Sequence, residues 1–418
     1  MNKEFFINNR KKYLDLVVNN SVTILFSGGL IPKTADQDYP FEVNKNFYYL
    51  TGINQENVIF VLVKGANGTK EYLFIEENNE LKSKWIGRKL TIDEAKALSG
   101  IDNISYLQDF EEILFVLFNG NRSSQENIST LYLDLERKYQ KDYYSNSLNF
   151  YHQFQKDYPE IRVQNAYQLI VSLRMIKSQE EVAMIQESIN TTKLALENVM
   201  RHIKPNLFEY QIEAYFDVAI KYYGNKDQAF TTICASGKNA TILHYVKNNE
   251  IVRDGDLILF DLGCRSNFYV SDISRTYPIN GKFTQRQKEV YQAVLNVNKK
   301  CIEFLKPGLT WDDYNQYANK LLTEELKYLG KIQEDHELRR YYYHSIGHLI
   351  GLDTHDPVLR NTPLQEGMVL TVEPGLYLED EGIGVRIEDN VLITENGAVN
   401  LSKDIIKEID EIEKFMNQ

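Results

Sequence analysis

The chain of 418 residues is 43% hydrophobic and 25% charged, the composition of a folded protein with room for two or three domains. Its 47 Lys and Arg face 59 Asp and Glu, a formal charge of -12, which argues against nucleic acid as a partner. Cys234, Cys264 and Cys301 lie far apart, so neither a disulfide framework nor a thiolate zinc site is expected, and a reducing compartment fits. Charges interrupt the first ten residues and no later run reaches about 18 apolar residues. The reading is a cytoplasmic protein without a membrane segment.

Short runs rich in β-branched and aromatic residues predict strands at 21–26, 57–63 and 71–75, and helical patterns follow at 91–99 and 110–118. This predicts a mixed α/β domain over 1–165. Ser178 and Glu181 form a capping box at the head of a long helix, whose face of Val182, Ile185, Ile189, Leu194 and Leu196 is expected to be buried. The second domain, 166–418, carries turn-and-strand signals at 254–263, 268–276, 367–373 and 384–393, with helices at 284–305 and 311–328. The fold class is α/β (α+β), an antiparallel sheet wrapped by helices in the second domain.

Acids inside apolar strands are the informative residues. Asp261 follows Leu257-Ile-Leu-Phe260, and an unpartnered carboxylate buried there would cost several kcal/mol. A hairpin turn centred on Ser266 and Asn267 sets Asp261 directly opposite Asp272, an arrangement that demands a cation between them. Glu373 and Glu388 show the same oddity. If the four acids converge, each pair repels by ~4 kcal/mol at ~4 Å with an effective dielectric of about 20. Two divalent cations would relieve the cluster. His344, His348 and His355 fall in one glycine-bearing segment and offer a nitrogen ligand. Oxygen-dominated ligation favours Mn(2+) over thiolate-bound zinc. Any one of these acids alone is more often a turn contact than a ligand.

Five blocks, Asp-Leu-Gly at 261–263, Ser-Asp-Ile-Ser-Arg-Thr at 271–276, His-Ser-Ile-Gly-His-Leu-Ile-Gly-Leu-Asp-Thr-His-Asp at 344–356, Thr-Val-Glu-Pro-Gly at 371–375 and Gly-Val-Arg-Ile-Glu-Asp at 384–389, resemble the ligand blocks of the dinuclear metallopeptidases with the creatinase, or pita-bread, fold. The segments 38–53, Trp85-Ile-Gly-Arg88 and 278–287 are similar to the Xaa-Pro aminopeptidase (aminopeptidase P) branch of that family. The resemblance implies a pita-bread catalytic domain behind a smaller N-terminal domain, and metal ligation by Asp261, Asp272, His348, Glu373 and Glu388. It implies attack by a hydroxide bridging two divalent ions on peptides with proline in second position, with Glu373 as proton shuttle. His244, His344, His355 and Arg386 would bind substrate, and all but His344 of these would also steady the reaction. A homodimer or larger homo-oligomer is expected. A prolidase cleaving Xaa-Pro dipeptides and a non-catalytic pita-bread binding module remain as alternatives.

Overall fold

The structure is a computed structural model that describes residues 1–418 except 67, 120–126, 138–144 and 226. It divides into two units, Met1–Arg174 and Met175–Gln418. The first unit runs past 165 because one more helix, Tyr167–Arg174, belongs to it.

In the first unit the described elements are α1 (Lys3–Leu16), β1 (Ser21–Phe26), α2 (Lys45–Thr51), β2 (Ile59–Gly65), β3 (Gly68–Ile75), α3 (Glu80–Ile86), α4 (Ile92–Ser99), β4 (Asn103–Tyr106), α5 (Phe110–Phe118), β5 (Thr130–Leu133), α6 (Asn146–Asp157), β6 (Arg162–Asn165) and α7 (Tyr167–Arg174). The strands form a mixed sheet in the order β4-β3-β2-β1-β5-β6, antiparallel through β1, β2 and β3 and parallel towards both edges. Val22, Ile24, Phe74, Leu131 and Leu133 pack there against Phe110, Leu114 and Phe118 of α5 and Phe154 of α6. Each buried side chain of that size contributes roughly 2 kcal/mol through lost apolar exposure.

The second unit contains α8 (Gln179–His202), α9 (Glu209–Tyr222), β7 (Ile233–Ser236), β8 (Leu257–Leu262), β9 (Arg265–Ser266), β10 (Tyr269–Val270), β11 (Ile273–Pro278), α10 (Gln285–Phe304), α11 (Trp311–Tyr328), β12 (Val369–Val372), β13 (Gly375–Leu378), β14 (Ile383–Arg386), β15 (Asp389–Thr394), β16 (Gly397–Asn400) and α12 (Ile409–Met416). Two three-stranded sheets, β11-β8-β7 and β12-β15-β16, and two short hairpins, β9-β10 and β13-β14, make up its strands among the described residues. The capping box of Ser178 and Glu181 starts α8 as expected. Ile185, Ile189 and Leu196 of that helix are buried, but Leu194 is 37% exposed because Thr192, Ala195 and Val199 complete the inward stripe.

Two strand pairings differ from the sequence reading. The hairpin turn centres on Asn267 and Phe268, both left-handed with φ of 48° and 73°, so Ser266 closes against Tyr269. This moves the partner of Asp261 from Asp272 to Ser274, two residues along the same face. The stretch 384–393 is also not one strand. It breaks at Ile387 and Glu388, so that β14 pairs with β13 while β15 pairs with β12. Glu388 sits in that break.

Candidate metal centre

Asp261 lies on β8 and Asp272 immediately precedes β11, while Glu373 follows β12 and Glu388 separates β14 from β15. Strand ends therefore deliver all four acids, and close backbone approach brings those ends together. A Cβ on Gly263 would lie 1.9 Å from the Ser271 carbonyl oxygen, and one on Gly347 would lie 2.0 Å from that of Thr371. Only glycine fits at either point.

The four acids line a cavity of about 460 Å³ together with His244, His344, His348, His355 and Arg386. Every site residue expected from the sequence thus borders one space. Ligand atoms of Asp272, His348 and Glu388 lie within 4.8 Å of one another. His348 Nε2 stands 3.5 Å from Asp272 Oδ2 and 3.6 Å from Glu373 Oε1. Its Nδ1 meets the Leu349 carbonyl oxygen at 3.1 Å, which assigns the proton to Nδ1 and turns the Nε2 lone pair towards the acids. The His355 ring stacks on His348 with centroids 3.8 Å apart.

Burial pushes Asp272 and Glu388 well above the usual carboxylate range, with the neighbouring acids adding to the effect. Glu373 is raised to about 8, chiefly by burial, although Arg386 opposes the shift. Burial lowers His348 to about 4 and His344 to about 3, so both imidazoles are neutral at pH 7. Two buried oxygens, Asp261 Oδ1 and Glu388 Oε1, meet no hydrogen-bond donor among the described residues. Crowded acids, a neutral imidazole and orphaned oxygens fit divalent cations, which satisfy lone pairs and cancel the repulsion together.

Arg386, the last residue of β14, is held by three hydrogen bonds. Its Nη2 donates to Asp261 Oδ2 at 2.8 Å, its Nε to Ser274 Oγ at 2.8 Å and its Nη1 to Tyr377 OH at 2.9 Å. Ser274 passes a hydrogen bond on to Glu388 Oε2 at 2.8 Å. Tyr377 OH in turn lies 2.9 Å from His344 Nε2, while His344 Nδ1 meets the Ser345 carbonyl oxygen at 2.8 Å. That carbonyl requires the proton on Nδ1, so Tyr377 donates to Nε2 and both nitrogens of His344 are engaged.

Sequence reasoning did not single out Ser274, Tyr377, Arg275 or Asn298. Arg275 is fully buried and donates to the Glu388 carbonyl at 2.6 Å and to Asp389 Oδ1 at 2.8 Å. Asn298 of α10 donates to the carbonyls of Val372 and Ile387, each at 3.2 Å, the residues just before Glu373 and Glu388. The signal for Ser274 and Arg275 was their place inside the Asp272 block.

The sequence profile described as Metallopeptidase family M24 matches residues 183–395, and that described as Aminopeptidase P, N-terminal domain matches residues 6–126. This chain belongs to metallopeptidase family M24. The M24 catalytic region carries the pita-bread fold and follows an aminopeptidase P-type N-terminal domain, and the chain is a metal-dependent peptide hydrolase. A Haemophilus influenzae Xaa-Pro aminopeptidase is 33% identical, with 99% of this chain and 97% of the relative covered. A Bacillus anthracis structure with a provisional aminopeptidase P name is 45% identical at a TM-score of 0.97, covering 100% of this chain and 99% of that one. Escherichia coli aminopeptidase P with the inhibitor Pro-Leu is 30% identical at a TM-score of 0.90, covering 100% and 98%. Among the described residues of this M24 chain, no helix is long and apolar enough to cross a membrane.

Proposed function

We propose that the protein hydrolyses the bond between an N-terminal residue and a following proline, using two divalent cations, Mn(2+) first among them, held by Asp261, Asp272, His348, Glu373 and Glu388. The observation that carries this reading is the convergence of those side chains on one cavity with Asp261 Oδ1 and Glu388 Oε1 unsatisfied. The substrate class follows the relatives, which bear the name Xaa-Pro aminopeptidase rather than dipeptidase. The inhibitor Pro-Leu begins with proline, as the leaving half of a Xaa-Pro-Leu peptide does.

When bound, the cations supply Lewis-acid polarisation of the scissile carbonyl and a water acidified to near neutral pH. Glu373 faces the cavity and accepts from Thr371 Oγ1 at 3.3 Å, which aims its carboxylate. It takes the proton of the attacking water and delivers it to the proline nitrogen as the C–N bond breaks. That nitrogen must be protonated to leave, and as a tertiary amide it has no N–H of its own. His244 and His355 border the cavity and offer ring N–H groups to the substrate carbonyl and the developing oxyanion. Arg386 holds Asp261, and Tyr377 holds the His344 ring that borders the substrate.

The same reading includes a cytoplasmic location and a homodimer or larger homo-oligomer. Three buried free cysteines support a reducing compartment, and the exposed Leu81, Trp85 and Ile86 of α3 support assembly.

The test compares a Xaa-Pro-Xaa tripeptide with the corresponding Xaa-Pro dipeptide. The tripeptide is expected to be cleaved after its first residue and the dipeptide to be the poorer substrate. Glu373→Ala should lower turnover by about 10²- to 10⁴-fold with the fold retained. Full turnover by that variant, or a preference for the dipeptide, would count against the reading.

A further inference from the structure

We infer that Glu209 is a positioning residue for His244, holding together the two ends of the loop 237–250 that carries it. Glu209 is the first residue of α9 and is fully buried. Its Oε1 accepts from the Ser236 N–H at 2.8 Å, Ser236 Oγ at 2.8 Å and Asn239 Nδ2 at 3.1 Å. Its Oε2 accepts from Tyr245 OH at 2.7 Å and the Glu250 N–H at 3.0 Å. One carboxylate oxygen therefore binds the chain before His244 and the other binds the chain after it.

The five donors are all neutral, and the place of Glu209 in the first turn of α9 adds the favourable end of the helix dipole. Around this clamp, Tyr245 packs into an apolar cluster with Ile233, Ala240, Leu259 and Tyr377, and Leu243 lies against the same cluster. His244 sits between these anchored neighbours, at the cavity and exposed.

Only a carboxylate satisfies both sides. A glutamine at 209 has one acceptor oxygen and one amino group, and whichever way it turns, the amino group faces either the Ser236 N–H or the Glu250 N–H, two donors that cannot reverse. One side of the loop is then released and a buried donor is left without a partner.

The inference rests on the Xaa-Pro aminopeptidase reading for its kinetic arm only. Wild type, E209Q, H244A and E209Q/H244A are compared for kcat/KM on a Xaa-Pro-Xaa peptide, with bound metal counted in each. Amide hydrogen exchange over 237–250 is followed without substrate. E209Q is expected to lose about tenfold or more in kcat/KM with metal content unchanged, to exchange faster across the loop, and to cost less than about twofold once His244 is alanine. Equal losses in both backgrounds, or unchanged exchange, would overturn the role. Should E209Q not fold, Tyr245→Phe removes one donor and keeps the ring. It is expected to show the same pair of effects at about threefold in kcat/KM, and their absence is equally decisive. A wild type that cleaves no Xaa-Pro peptide counts against the enzymatic reading, and the exchange result then decides Glu209 alone.

Discussion

Tyr377 shows how much of the site depends on single polar atoms. Its ring lies in an apolar cluster, yet its hydroxyl accepts from Arg386 and donates to His344, so one oxygen aligns the clamp on Asp261 with a ring at the cavity wall. Tyr377→Phe keeps the ring, leaves the guanidinium one acceptor short and leaves His344 held through Nδ1 alone. The expected outcome is a loss of about tenfold or more in kcat/KM with metal content retained, read by steady-state kinetics beside elemental analysis. Wild-type kinetics in that variant would reduce Tyr377 to packing. The four acids proposed as ligands stood out in the sequence because ionised acids have no place in apolar strands without a counter-charge. Tyr377 did not, because a buried tyrosine is ordinary and this chain has 28 of them. What distinguishes it is the pair of groups its hydroxyl meets, and those come from β14 and from the segment before Gly347.

At the scale of elements, two struts hold the short strands in register. Asn298 projects from α10 to the carbonyls preceding Glu373 and Glu388, while its Oδ1 accepts from Lys407 Nζ at 2.8 Å. Asn298→Ala takes this donor away from both carbonyls, so the spacing of the two glutamates should loosen. Metal affinity is expected to fall about tenfold, measured by equilibrium dialysis, and unchanged affinity would mean that the strands alone set the spacing. The second strut joins α10 to the β13-β14 hairpin, where Arg286 makes a two-pronged contact with Glu381 at 2.7 and 2.9 Å and Lys331 adds a third at 2.9 Å. The Arg286 hydrogen bonds hold Glu381 down at about 2. Unfolded, the same group titrates near 4.5, so between these values the unfolded chain binds more protons and stability rises with pH. The contribution is complete above the unfolded value and is lost as pH falls towards the folded one. Glu381→Gln should therefore cost about 1 kcal/mol at pH 6, allowing for solvent screening, and progressively less on acidification. Denaturation of both proteins across that range measures the difference; a gap that widens on acidification would contradict the sign. Element positions were legible at most places, since β1, α5 and α11 fall where composition and period put them. Register was not. A bulky Phe268 in a left-handed turn position runs against turn preference, and nothing local in 384–393 announces that the strand changes partner at Glu388.

For the whole molecule, the acid excess is distributed unevenly in its consequences. Most of the 59 acids are ordinary surface charge, but four are gathered where burial and mutual repulsion oppose folding unless cations are present. All five proposed ligands lie between Asp261 and Glu388, inside the unit Met175–Gln418, whereas Met1–Arg174 has its own sheet and core. Metal binding should therefore be linked to the stability of one unit and not the other. A ligand at a hundred times its dissociation constant adds about 2.7 kcal/mol to the state that binds it. For a domain of this size each kcal/mol shifts the melting temperature by roughly 2–4 °C, so chelation should lower the transition of the second unit by about 5–10 °C. Scanning calorimetry of the full chain with and without Mn(2+) tests this, provided each transition is assigned by following residues of one unit, for example through hydrogen exchange on heating. A first-unit transition that stays fixed while the second falls is the expected result. Equal shifts in both would show that the units melt as one, and no shift in either would remove the cations from the stability of the fold and with them the reason for burying four acids together.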